Sequence, residues 1–117
     1  MWNTSVEFTE LIGKTITEVK DSEYNVTFKT SDGSTYEMYH EQDCCEAVYL
    51  EDITGSWDDI VGQVVTDAFV NTNDVDCDYG VEMWTFYTIE TFKGAVTLRW
   101  NGSSNGYYSV EVGFFKV

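Results

Sequence analysis

Three aspartates stand two residues apart in Asn73-Asp74-Val75-Asp76-Cys77-Asp78-Tyr79-Gly80. That spacing resembles the start of an oxygen-ligand calcium loop. Gly80 falls one position late, however, and Thr85 stands where the bidentate glutamate belongs. No metal is therefore assigned to the segment. If it is extended, its three carboxylates share one face and call for a cation or a basic partner; if it is a loop, they are solvated acid.

His40, Cys44, Cys45 and Cys77 are the residue types of a zinc site, but structural zinc sites present C-x-x-C knuckles and adjacent cysteines rarely chelate one ion. His40 beside Cys44 or Cys45 is also the minimum of a nucleophile pair. No third orienting group is identifiable, so neither catalysis nor a cofactor is expected. The remaining polar chemistry is acidic: Glu41, Asp43 and Glu46 around the cysteine pair, Glu51-Asp52, and Asp58-Asp59. With Asp74, Asp76 and Asp78, the residues Glu41, Asp43, Glu46, Asp58 and Asp59 form the candidate partner-binding set. An acidic stripe of this kind can imitate the phosphates of DNA towards a protein that binds nucleic acid.

Composition narrows the classes. Lys plus Arg number 6 and Asp plus Glu 21 in 117 residues, so the net charge is 6 − 21 = −15. Direct nucleic-acid binding needs basic residues to neutralise phosphate, so the charge argues against it. Aromatic residues make up 16% of the chain and hydrophobic ones 43%, too many for a disordered acidic tail. The length suits one domain with one core. No basic-then-apolar leader opens the chain and no apolar run reaches the length of a membrane span, so cytoplasmic residence with reduced thiols is expected.

The elements that must carry these residues are mostly strands. Residues 84–112 are expected to form the organising sheet: an aromatic strand, a turn at Lys93-Gly94, a strand with Val96, Leu98 and Trp100 on one face, a polar loop from Asn101, and a third strand through Tyr108, Val110 and Val112. Upstream, residues 7–12 read as one helical turn closed by Gly13. Strands follow over 16–20, 24–29 and 36–40, with a hairpin turn at Ser31-Asp32-Gly33. A fourth strand runs over 46–53 with Val48 and Leu50 inward.

Residues 59–68 then restate residues 10–19: an acid, two aliphatics, Gly, a polar residue, and later Thr, acid, apolar, at an offset of 62 − 13 = 49. Further on the offset is near 60, which leaves Asn71 to Val81 as an added segment. The expected fold is thus a β-rich α+β domain over 1–117 with antiparallel sheets. It is built from two repeated units, 7–53 and 56–117, each a short helical turn followed by about four strands.

The segments HEQDCCEAVYLEDI, GSWDDIVG and WTFYTIET with VTLRWNGSSNGYYSVEV resemble a family of small acidic phage-encoded proteins of unassigned function, over most of residues 36–112. The resemblance implies phage origin and residence in the host cytoplasm, with no catalytic residues to carry over. With the charge, it makes a stoichiometric anti-defence inhibitor, anti-CRISPR-like, the expected function. Its expected partner is a basic host protein, with a nucleic-acid-binding defence complex as the candidate; neither nucleic acid itself nor a membrane is an expected partner. A small-molecule or divalent-metal-binding domain is the alternative.

Overall fold

The computed structural model describes residues 3–42, 46–77, 80–105 and 110–117, with 76 and 77 described for their backbone only. Among the described residues nine strands run in order: β1 (Thr4–Ser5), β2 (Ile16–Asp21), β3 (Asn25–Thr30), β4 (Thr35–Tyr39), β5 (Ala47–Thr54), β6 (Asp67–Cys77), β7 (Gly80–Glu90), β8 (Ala95–Ser104) and β9 (Gly113–Lys116). They form two antiparallel sheets, ordered β1-β9-β4-β3-β2 and β5-β8-β7-β6. The α component of the expected α+β class is absent among the described residues: the helical turns are two short 3-10 turns, Phe8–Leu11 and Trp57–Asp59.

The two-residue period of the sequence is the cause of the core. Val26 and Phe28 on β3, Tyr36 and Met38 on β4, Tyr87 and Ile89 on β7, and Val96, Leu98 and Trp100 on β8 all turn inward and are buried. The sheets meet where the Trp100 indole N–H donates to the Met38 sulfur at 3.1 Å. Phe8 of the first 3-10 turn bridges them, edge-on to Tyr87 of one sheet and Phe114 of the other, with ring centroids 4.8 and 5.2 Å away.

The two sheet orders correspond. Exchanging β2, β3, β4 and β5 for β6, β7, β8 and β9 converts β9-β4-β3-β2 into β5-β8-β7-β6. In each half the fourth strand leaves its own three and pairs beside the third strand of the other half. At the centre Thr15 bridges Val64. Gly13 donates to the Val65 carbonyl (2.8 Å) and Gly62 to that of Ile16 (2.6 Å); Val65 donates to Lys14 (2.9 Å) and Ile16 to Gln63 (3.2 Å). Each bond maps onto its mate at the offset of 49. Gly13 and Gly62 sit at φ +87° and +82°, a left-handed conformation that other residues adopt at a cost. Asn71 to Val81 is the outer part of the β6–β7 hairpin, whose strands have eleven residues each against six each in β2 and β3.

Two expectations for the organising segment are corrected. Asn101 to Ser104 are not a loop but the end of β8, paired with β5 on one side and β7 on the other. Ladder bonds on both sides override the turn preference of Asn, Gly and Ser. Residues 110–112 belong to no strand; the chain there crosses between sheets, and the last strand is β9, bonded to β4 and β1 rather than β8. Val110 is buried and the Val112 carbonyl accepts the Tyr87 hydroxyl at 2.8 Å, so apolar alternation persists through a segment that belongs to neither strand ladder.

That Tyr87 hydroxyl makes a pH test. Burial, and secondarily the charge of Glu111, push its pKa from an ordinary 10.0 up to about 12. The unfolded chain ionises first as pH rises, so this contribution is intact below pH 10 and is lost towards pH 12. Stability should fall across that window by roughly 2–3 kcal/mol from this group. Urea melts of the wild type and Tyr87→Phe at both ends of the window measure it: the variant should lose less stability on going up, and equal losses refute the assignment.

Candidate functional site

An acidic groove forms where the first hairpin meets the second sheet. The β2–β3 turn contributes Asp21, Ser22 and Glu23; β5 contributes Leu50, Glu51, Asp52 and Ile53; together they line a cavity of about 430 Å³. The two walls are joined by a hydrogen bond from the Leu50 N–H to the Glu23 carbonyl at 2.6 Å. A register shift between Leu50 and Asp52 in the β5–β8 ladder places Glu51 and Asp52 side by side on this wall. Leu50 and Ile53 are half-buried and form the apolar part, while all four carboxylate residues are exposed.

One cation answers them. Arg99 of β8 reaches Glu51 through its Nε at 2.6 Å and a terminal nitrogen at 2.5 Å, with Asp52 at 3.8 Å. Its guanidinium lies 5.4 Å from the centre of the Trp84 ring. Four carboxylates against one guanidinium leave the groove negative by about three charges. Such a groove accepts ammonium or guanidinium side chains and repels phosphate.

The sequence singled out Glu51 and Asp52 as acid beside the loops but not Asp21 or Glu23. The local signal was present, since Asp21-Ser22-Glu23 is an acidic turn. Only the crossing of β5 past that turn makes it one wall of a groove.

The expected partner-binding residues fall at opposite ends of the β5-β8-β7-β6 sheet. Register places Val48, Gly102, Met83 and Asp74 on one level, near exposed Glu41. Asp58 and Asp59 lie at the other end, beside the β7–β8 turn: the Asp59 carbonyl accepts from the Thr91 hydroxyl at 2.6 Å, and the Asp58 carbonyl from Lys93 Nζ at 3.1 Å. Asp74 is exposed, Asp76 lies on β6 with its side chain outside the description, and Asp43 and Asp78 lie outside the described residues.

Glu46 is removed from any docking face. Its side chain is 1% exposed and that of His40 5%, with His40 Nε2 2.8 Å from a Glu46 carboxylate oxygen. The other ring nitrogen, Nδ1, donates to the Glu111 carbonyl at 2.6 Å, a contact that requires a proton on Nδ1. A further proton then lies between Nε2 and the Glu46 carboxyl group. Gln42 Nε2 donates to the Glu46 carbonyl at 2.7 Å and to its carboxylate at 3.3 Å. Both ring nitrogens of His40 are thus engaged in a buried strut. Cys44 and Cys45, the other residues weighed for such chemistry, lie outside the described residues, and the side chain of Cys77 does too. Among the described residues no three His, Cys, Asp or Glu side chains gather as a metal-ion site.

No helix among the described residues is long and apolar enough to cross a membrane. Compared with known families, residues 9–114 match the model of a domain of unknown function, DUF7448. No curated protein and no solved structure matches the chain.

Proposed function

The chain belongs to the DUF7448 family, and we propose that it is a non-enzymatic, stoichiometric interaction protein that binds a basic partner through its acidic surface. The observation that carries this reading is the groove at Asp21, Glu23, Glu51 and Asp52, four carboxylates on an apolar floor against which, among the described residues, Arg99 alone is paired. Lysine or arginine side chains of a partner fit it by charge and by volume, and the net charge of −15 steers the encounter. Within this class we propose an anti-defence, anti-CRISPR-like inhibitor of phage origin, acting in the host cytoplasm. It would occupy a surface where the partner otherwise holds nucleic-acid phosphates.

Neutralising Asp21→Asn, Glu23→Gln and Asp52→Asn together tests the site while leaving the Arg99–Glu51 pair in place. The fold should keep its stability, because like charges are removed. Association with a basic nucleic-acid-binding host protein should slow by roughly tenfold at low salt and less at high salt. Competition against duplex DNA for that protein reads the mimicry directly. Unchanged association and unchanged competition would refute the reading.

We also propose that residues 7–53 and 56–117 are two copies of one unit that exchange their fourth strands. The exchanged sheet order and the hydrogen bonds paired at an offset of 49 support it.

A further inference from the structure

Another cavity, of about 270 Å³, lies on the inner face of the β6–β7 hairpin, whereas the acidic groove is at β5, the opposite edge of the same sheet. Val70 and Thr72 of β6, with their ladder partners Tyr87 and Thr85 of β7, form its floor. Met83 extends that floor along β7, and Glu111 and Val112 of the segment crossing to β9 supply the wall. The wall is fixed at Val112, whose carbonyl accepts the Tyr87 hydroxyl. It is fixed also at Val110, packed so close to Gly102 that a Cβ there would stand 2.7 Å from the Val110 Cβ. Thr85 is what the fold leaves unanswered. It is 4% exposed and lines the cavity, and its hydroxyl makes no hydrogen bond among the described residues. Thr30 and Thr91, also buried, donate theirs to an Asp32 carboxylate oxygen at 2.5 Å and to the Asp59 carbonyl at 2.6 Å. Folds pair such groups because a hydroxyl withdrawn from water without a partner costs stability. The Tyr87 hydroxyl is committed to Val112 and does not answer it.

We propose that this cavity binds a small uncharged aromatic alcohol, a phenol of one or two rings, whose hydroxyl pairs with that of Thr85. Val70, Met83 and Val112 offer apolar contact, and the Met83 sulfur and Tyr87 ring favour an aromatic body over an aliphatic one. The volume is ample, since about 150 Å³ suffices for benzene in an engineered apolar cavity. A threonine hydroxyl both donates and accepts, so it complements a phenol in either direction. Water beside three apolar side chains has few bonds to lose, and its displacement favours binding. Glu111 in the wall and the net charge of −15 turn away anionic ligands.

Amide shifts in proton–nitrogen correlation spectra of the full chain, titrated with p-cresol, toluene and p-toluate, test this. p-Cresol should shift the amides of Thr72, Thr85 and Val112 saturably, with a Kd on the order of 1 mM for so small a ligand. Toluene should bind roughly fivefold more weakly, and p-toluate should not bind. Thr85→Val keeps the shape of the side chain and suits a strand. It should weaken p-cresol binding roughly tenfold and leave toluene binding within about twofold. It should not lower the Tm, because the hydroxyl it removes has no bond within the described protein. Val70→Phe, which fills the cavity, should abolish the binding of both. The absence of saturable shifts at these amides, p-toluate binding as well as p-cresol, p-cresol binding unchanged in Thr85→Val, or a lower Tm in that variant would overturn the proposal.

Discussion

Replacing His40 with alanine should destabilise the fold by about 3–5 kcal/mol, because it strips the buried Glu46 carboxyl group of the ring nitrogen bonded to it. The Glu46 side chain is 1% exposed and His40 Nε2 stands 2.8 Å from it. The same ring also ties the Glu111 carbonyl, so one side chain links the end of β4, the start of β5 and the segment crossing to β9. Gln42 remains near Glu46 in the variant but brings no charge. The double variant His40→Ala, Glu46→Leu should therefore be more stable than His40→Ala alone, since the buried carboxyl group that lost its His40 bond is then gone too. Urea unfolding of the two single variants and the double variant gives the coupling. A loss below about 1 kcal/mol in His40→Ala would show that the pair is not what joins the three segments.

Trp100→Ala should cost a similar amount, about 3–5 kcal/mol, by a different route. Trp100 is among the largest fully buried side chains, on a strand bonded on both sides, and its indole N–H reaches Met38 across the interface between sheets. Truncation leaves a cavity between two sheets whose backbones are held by their own ladders and relax little. Trp100→Phe keeps most of the volume and should cost less than half as much. Against a total stability of about 5–15 kcal/mol for a domain, the alanine variant should unfold at markedly lower temperature in a calorimeter. Equal melting temperatures for Trp100→Ala and the wild type would mean that the sheets do not depend on this contact.

Much of the secondary structure was legible in the chain by itself. The strands at 16–21, 25–30, 35–39 and 47–54 follow from alternating apolar residues, since the pleat turns every second side chain to the same face. The turn after Leu11 and the matching turn before Gly62 follow from glycines placed after short apolar runs. Charge was legible too, because counting acids requires no coordinates.

What the sequence left open is which strand neighbours which. A period of two names a face but not a partner, so Val110 and Val112 read as a third strand of the 84–112 sheet although the ladder begins at Gly113 and runs to β4. Asn101 to Ser104 carry a loop composition, yet partners on both sides hold them in β8. Glu46 reads as one more surface acid until the fold brings His40 against it, because burial is a property of the surroundings and not of the residue. The groove has the same origin. Asp21 and Glu23 are separated from Glu51 and Asp52 by about thirty residues of chain, and only the crossing of β5 into the other sheet sets their like charges around one cavity.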